Sequence, residues 1–101
     1  MAEVRLSAAA KRDLVDIDEY GDEQFCSDVA DIYSRGFNEV FALLRRHPLA
    51  GAEKPELGKT IRCTVHRSHR IFYHFKNDVV MIIRIIHHSR DAKLALMKAK
   101  R

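Results

Sequence analysis

Three runs of residues decide the fold: Ile61-Arg62-Cys63-Thr64-Val65-His66, Arg70-Ile71-Phe72-Tyr73-His74-Phe75 and Val79-Val80-Met81-Ile82-Ile83-Arg84-Ile85-Ile86-His87. Each is rich in β-branched and aromatic side chains, which suit a pleated, half-buried surface. Arg67-Ser68 and Asn77-Asp78 separate them. The second pair is the stronger turn signal, because Asn and Asp tolerate positive φ. Turns this tight imply antiparallel pairing. The third run is apolar on both alternations except at Arg84, which predicts a strand covered on both faces in the middle of a sheet. His88-Ser89-Arg90-Asp91 follows at once. Arg62, Arg70, Arg84, His87 and Arg90 are therefore expected on one small sheet, where they could act together.

Upstream, Glu3-Val4-Arg5-Leu6 alternates polar and apolar and predicts a short strand, placed beside the central one. Ser7 stands where a helix N-cap belongs, and Ala10 three positions on gives no reciprocal capping box. Ala10, Leu14 and Ile17 recur at helical spacing, predicting a helix from about 8 to 20 with Gly21 as its stop. A second helix starts at Ser27 or Asp28. Ala30, Tyr33, Phe37, Val40, Phe41 and Leu44 form its apolar stripe, Arg45, Arg46 and His47 suit its negative end, and Pro48 stops it. Gly36 within it suggests close approach of the first helix. Two helices joined by a short link make an antiparallel hairpin covering one side of the sheet. Residues 48–59, punctuated by Pro48, Gly51, Pro55 and Gly58, read as a loop, and residues 92–101 as a short basic helix through Leu94 and Met97 or a frayed tail. The expected fold class is α+β, in the order β-α-α-β-β-β, with the hairpin packed on a small, mainly antiparallel sheet.

The chain has 101 residues, which predicts one domain over 1–101, and its 47% apolar and 32% charged content suits a globular core of modest size. No apolar run reaches the ~18 residues that span a bilayer, and the N-terminus does not read as a signal peptide. Cys26 and Cys63 have no motif spacing, so both are expected as reduced, buried or half-buried thiols of a cytoplasmic protein. The net charge of +4 is unevenly spread. Residues 1–44 hold four basic and ten acidic residues, whereas residues 45–101 hold fourteen basic and four acidic. The second half can build a cationic face that attracts an acidic partner or a nucleic-acid complex, or the two halves can neutralise each other in the fold.

Leu6-Ser7-Ala8-Ala9-Ala10 with Asp13-Leu14, the Pro48 and Gly51 loop, Leu57-Gly58, Arg62, Arg70-Ile71-Phe72-Tyr73, and Arg84-Ile85-Ile86-His87 leading to Arg90-Asp91 occur in an order and spacing that resemble the ParE branch of the RelE/ParE toxin superfamily. The resemblance runs from about residue 4 to residue 91. It implies the toxin of a bacterial type II toxin–antitoxin pair, with no cofactor. The partner would be a ParD-like antitoxin that wraps the toxin with a helical segment. The target would be DNA gyrase, held in its broken-DNA state. The antitoxin is expected over the helical hairpin and along the exposed edge of the sheet, with Leu14, Tyr33 and Phe37 as contacts. Arg62, Arg70, Arg84, His87 and Arg90 are the expected contacts to the target.

RelE-like relatives instead cut messenger RNA on the ribosome. Cutting RNA takes a base, an acid and cations for the phosphate, for which Arg62, Arg84 and His87 are the candidates, with Arg90, His66 and His88 as further material. The chain lacks a tyrosine after Tyr73, and Lys54 and Lys59 are the loop's only lysines, which departs from that branch.

Structural readings of the same residues stand beside these. Arg84 can pair with Asp91 or with a helix carboxylate. Tyr73 and Phe75 share a parity with Ile71 and fit packing. His66, His74 and Lys76 fit a solvated face, and Arg90-Asp91 fits a local ion pair or a cap on the tail helix. His87 and His88 are adjacent on a strand and point to opposite faces, so they give no metal signal. No helix offers a basic, polar recognition face, so direct sequence-specific DNA binding is not expected.

Overall fold

The structure is a computed structural model that describes residues 1–99, without the side chains of residues 98 and 99; the rest of the expected tail lies outside the described residues. The order is β1 (Glu3–Leu6), α1 (Ala8–Gln24), α2 (Ser27–Arg46), β2 (Ala52–Glu53), β3 (Arg62–His66), β4 (His69–Lys76), β5 (Val79–His87) and α3 (Ala92–Ala99). The five strands form one sheet in the order β1-β5-β4-β3-β2. β1 runs parallel to β5, as placed from the sequence, and the other pairs are antiparallel. The short β2, inside the expected loop, takes the outer edge of β3.

Both turns form where expected, with Arg67, Asn77 and Asp78 at positive φ. Ser7 caps α1 by accepting the Ala10 N–H, and its own hydroxyl donates to the Ile83 carbonyl at 2.7 Å. α1 does not stop at Gly21. It continues to Gln24, and the missing Cβ at position 21 lets Ala30 of α2 sit against it. Gly36 has a different partner from the one expected. A Cβ there would lie 2.1 Å from the His66 ring, so the glycine lets α2 descend onto β3, not onto α1.

The hairpin face of the sheet buries Phe37, Phe41, Leu44, Ile71, Tyr73, Val80, Ile82 and Ile85. The opposite face is covered as well. Ile61, Cys63, Phe72, Ile83 and Ile86 pack under α3 through Leu96. The described part of the tail, Ala92–Ala99, is thus a helix that closes the second face. Leu94 and Met97, expected to anchor it, point to solvent.

A register shift at Phe72/Tyr73 gives this sheet its two cores. Tyr73 pairs with Ile82 but Phe72 pairs with Arg84, so Ile83 is the extra residue of a bulge. Cross-strand partners share a face. Below the bulge Val80 and Ile82 face the hairpin, and above it Ile85 does. Arg84, which strict alternation would drive into the hairpin core with Val80 and Ile82, is turned onto the face of Phe72.

Candidate functional site

The five residues expected to act together are divided between surfaces. Arg62 lies opposite Tyr73 on the hairpin side, whereas Arg84 lies opposite Phe72 and Arg70 opposite Ile86 on the α3 side. Arg62 donates to the carbonyls of Leu49 (3.2 Å) and Gly51 (2.8 Å) and pairs with Glu53 (3.2 Å), pinning the loop after α2. Tyr73 pins the same loop. It donates to the Pro48 carbonyl and accepts the Gly51 N–H, both at 2.8 Å. Arg70 lies over the Phe72 ring and donates to the carbonyls of Arg90 (2.9 Å) and His88 (3.4 Å).

Arg84 makes a two-pronged pair with Asp13 of α1: Nε to Oδ2 at 2.7 Å and Nη2 to Oδ1 at 2.8 Å. Both side chains are nearly enclosed, at 13% and 11% exposure. A third bond runs to the Ala95 carbonyl of α3, and Asp13 also accepts the Ile85 N–H. One arginine therefore joins α1, β5 and α3. The hydrogen bonds to Asp13 hold its guanidinium charge above the ordinary range, against the opposing effect of burial. The carboxylate partner is on a helix, not Asp91. Asp91 instead caps α3 by accepting the Leu94 N–H, and Arg90 is exposed beside it.

His87 belongs to a cluster that sequence reasoning missed. The registers place His66 opposite His69, and His69 opposite His87, in one row across β3, β4 and β5. α2 covers the row. His66 Nε2–H donates to the Tyr33 carbonyl at 2.9 Å, and the His66 ring packs on Tyr33 and Phe37, so it is not the solvated residue expected. The Tyr33 hydroxyl lies 2.6 Å from His69 Nδ1. Burial pushes the Tyr33 hydroxyl up, with the Ser68 N–H and Arg67 opposing, so it stays protonated. Burial first, then the neighbouring His87 and His66, bring His69 down to about 4. A neutral His69 accepting at Nδ1 carries its proton on Nε2. The Ser89 N–H donates to His87 Nδ1 at 3.2 Å, which fixes the ring orientation. The Arg67-Ser68 turn announced the His66–His69 pairing. The bulge, which no residue type announces, put His87 in line.

Around this row the hairpin tip overhangs the sheet and leaves a groove of about 590 Å³. Its helical wall is apolar: Ile17 and Tyr20 from α1, Phe25 from the link, and Val29, Ile32 and Tyr33 from α2. Tyr20, Phe25, Val29 and Ile32 are exposed, between 48% and 62%. The sheet end supplies Arg67, Ser68, His69 and His87. A contiguous apolar surface with a polar, cationic border is the usual form of a protein-binding site. Of the expected antitoxin contacts, Tyr33 lines this groove, and Leu14 lines a second one beside β1. Phe37 is 1% exposed and serves the core. Cys26, at the hairpin link, is exposed, contrary to expectation, while Cys63 is buried and burial pushes its thiol up.

A helical hairpin on a mixed sheet, with an exposed apolar groove and with Arg62, Arg70 and Arg84 spent on holding loops and helices, has the form of a small protein-binding module. Its relatives make the class specific. The family described as the ParE toxin of type II toxin–antitoxin system, parDE, matches residues 4–92. Toxin ParE1 of Caulobacter vibrioides is 32% identical over 96 residues, covering 95% of this chain and 99% of the relative. The chain belongs to the ParE toxin family, and membership implies an antitoxin partner. The structure titled the chromosomal ParDE TA system from P. aeruginosa shares the fold, with a TM-score of 0.75 at 18% identity over 86% of this chain and 96% of that one.

Proposed function

We propose that this chain arrests bacterial growth in the cytoplasm by binding DNA gyrase, and that a ParD-like antitoxin neutralises it by seating a helical segment in the groove between hairpin and sheet end. The observation that carries the binding reading is the separation of Arg62 from Arg84. An RNA-cutting site built on Arg62, Arg84 and His87 needs them to converge on one phosphate. Here Arg62 holds a loop on one face, Arg84 is enclosed against Asp13 on the other, and His87 stands in the histidine row. Of the expected target contacts, Arg90 is the exposed one, and Arg70 orders the turn that presents it.

The test adds the purified chain to gyrase and relaxed plasmid. Inhibited supercoiling with accumulation of cleaved DNA is expected at micromolar toxin. Unchanged supercoiling with no cleaved DNA, together with cut transcripts in arrested cells, would hand the function to the nuclease reading.

A further inference from the structure

The rings of His69 and His87 line the sheet end of the hairpin groove, beside Arg67 and Ser68. We infer that this end is a carboxylate site: the Nε2–H groups of His69 and His87, with the Arg67 guanidinium, take one carboxylate of the docked segment and so set the direction in which that segment lies. This rests on the antitoxin reading above and names the chemistry at one end of the same groove.

The two rings are set as donors before any partner arrives. The Tyr33 hydroxyl lies 2.6 Å from His69 Nδ1, and the Ser89 N–H donates to His87 Nδ1 at 3.2 Å. A neutral imidazole that accepts at Nδ1 carries its proton on Nε2. Neither Nε2 has a hydrogen-bond partner among the described residues, and neither is sealed from solvent; the sealed side-chain donor without a partner is Arg70 Nε. His66, the third ring of the row, differs, because its Nε2–H is spent on the Tyr33 carbonyl. The ring centres of His69 and His87 are 5.4 Å apart, with their planes at 86°. The two acceptor oxygens of one carboxylate can bridge such a pair. Burial, then His87 and His66, keep His69 uncharged at neutral pH. Its ring therefore offers a directional donor, and Arg67 supplies the charge.

The charges around the groove select a single carboxylate over a polyanion. Arg67 is exposed and makes no ion pair among the described residues. At the other end of the groove the hairpin tip carries Glu19, Asp22, Glu23, Asp28 and Asp31, all exposed and outside any ion pair among the described residues. A nucleic-acid strand laid along the groove would run from Arg67 onto these acids and be repelled. A protein segment with an apolar face, one carboxylate at the sheet end and cations toward the hairpin tip matches both ends and the wall between them.

The test follows the imidazole nitrogens by NMR. Acetate added to the free chain is expected to shift Nε2 of His69 and His87 along one common saturation curve and to leave His74 in place. In the co-expressed toxin–antitoxin complex, both Nε2 protons are expected to exchange with water at least roughly tenfold more slowly than in the free chain. Arg67→Glu, with an unchanged unfolding midpoint, is expected to weaken the complex at least roughly tenfold, and Arg67→Lys to keep most of the affinity. A complex in which both Nε2 protons exchange as they do in the free chain overturns the carboxylate site and leaves the antitoxin reading standing. A DNA duplex that moves the two signals where acetate does not assigns the sheet end to nucleic acid and also overturns it. Failure to form any complex removes the antitoxin reading, and the acetate titration then decides the site by itself.

Discussion

At the scale of single residues, Arg84 was legible as a choice between a carboxylate partner and a site, and the fold made the choice. The pair with Asp13 is nearly enclosed and carries two further bonds, so removing one member strands a charge. Arg84→Ala is expected to lower stability by about 3 kcal/mol, measured by urea unfolding, and any loss of toxicity should track loss of folding. A stable but harmless Arg84→Ala would reinstate Arg84 as a target contact. His69 makes a pH prediction. Burial and the neighbouring histidines bring its imidazole down to about 4 in the fold, below the ordinary value of 6.5. Between those values the unfolded chain binds more protons, so this residue's contribution is complete above about pH 6.5 and is lost as pH falls toward 4. The loss is on the order of 2–3 kcal/mol. Urea midpoints measured across that window should slope steeply for the native chain and less for His69→Gln.

At the scale of elements, local chemistry named most of the pieces. The Ser7 cap, the Pro48 stop and the Asn77-Asp78 turn each act within a few residues, and each is where the sequence placed it. The two helix glycines were legible as close approaches, but not as to what approaches. Gly36→Ala would ordinarily favour a helix by ~1 kcal/mol. Here the new methyl meets the His66 ring, which is held by the Tyr33 carbonyl and by Phe37. The variant is expected to be destabilised by ~1–3 kcal/mol, and adding His66→Ala should recover part of that loss. Thermal unfolding of the single and double variants reads the coupling directly.

At the scale of the whole molecule, the overhang of the hairpin beyond the sheet creates the groove, and no segment contains it alone. The exposed apolar residues on its wall contribute little to folding, so Ile32→Asp is expected to shift stability by less than about 0.5 kcal/mol. The same change is expected to weaken antitoxin binding at least roughly tenfold, since it places an unpaired charge in an apolar contact. Calorimetry of the complex set against unfolding of the toxin separates the two effects. Equal affinity for the native chain and Ile32→Asp would move the antitoxin off this wall.

By itself the sequence determined the α+β class, the order of the two long helices and of β1, β3, β4 and β5, and the β1–β5 neighbourhood, because these follow from periodicity, caps and turns acting over a few residues; the likeness to ParE toxins came from the order and spacing of its motifs. Only the tertiary structure decided which face each arginine and histidine occupies. A strand's side chains alternate, so a single extra residue at Ile83 reverses every assignment beyond it. That residue is placed by the joint packing of two apolar layers on opposite faces of β5, the hairpin on one and α3 on the other.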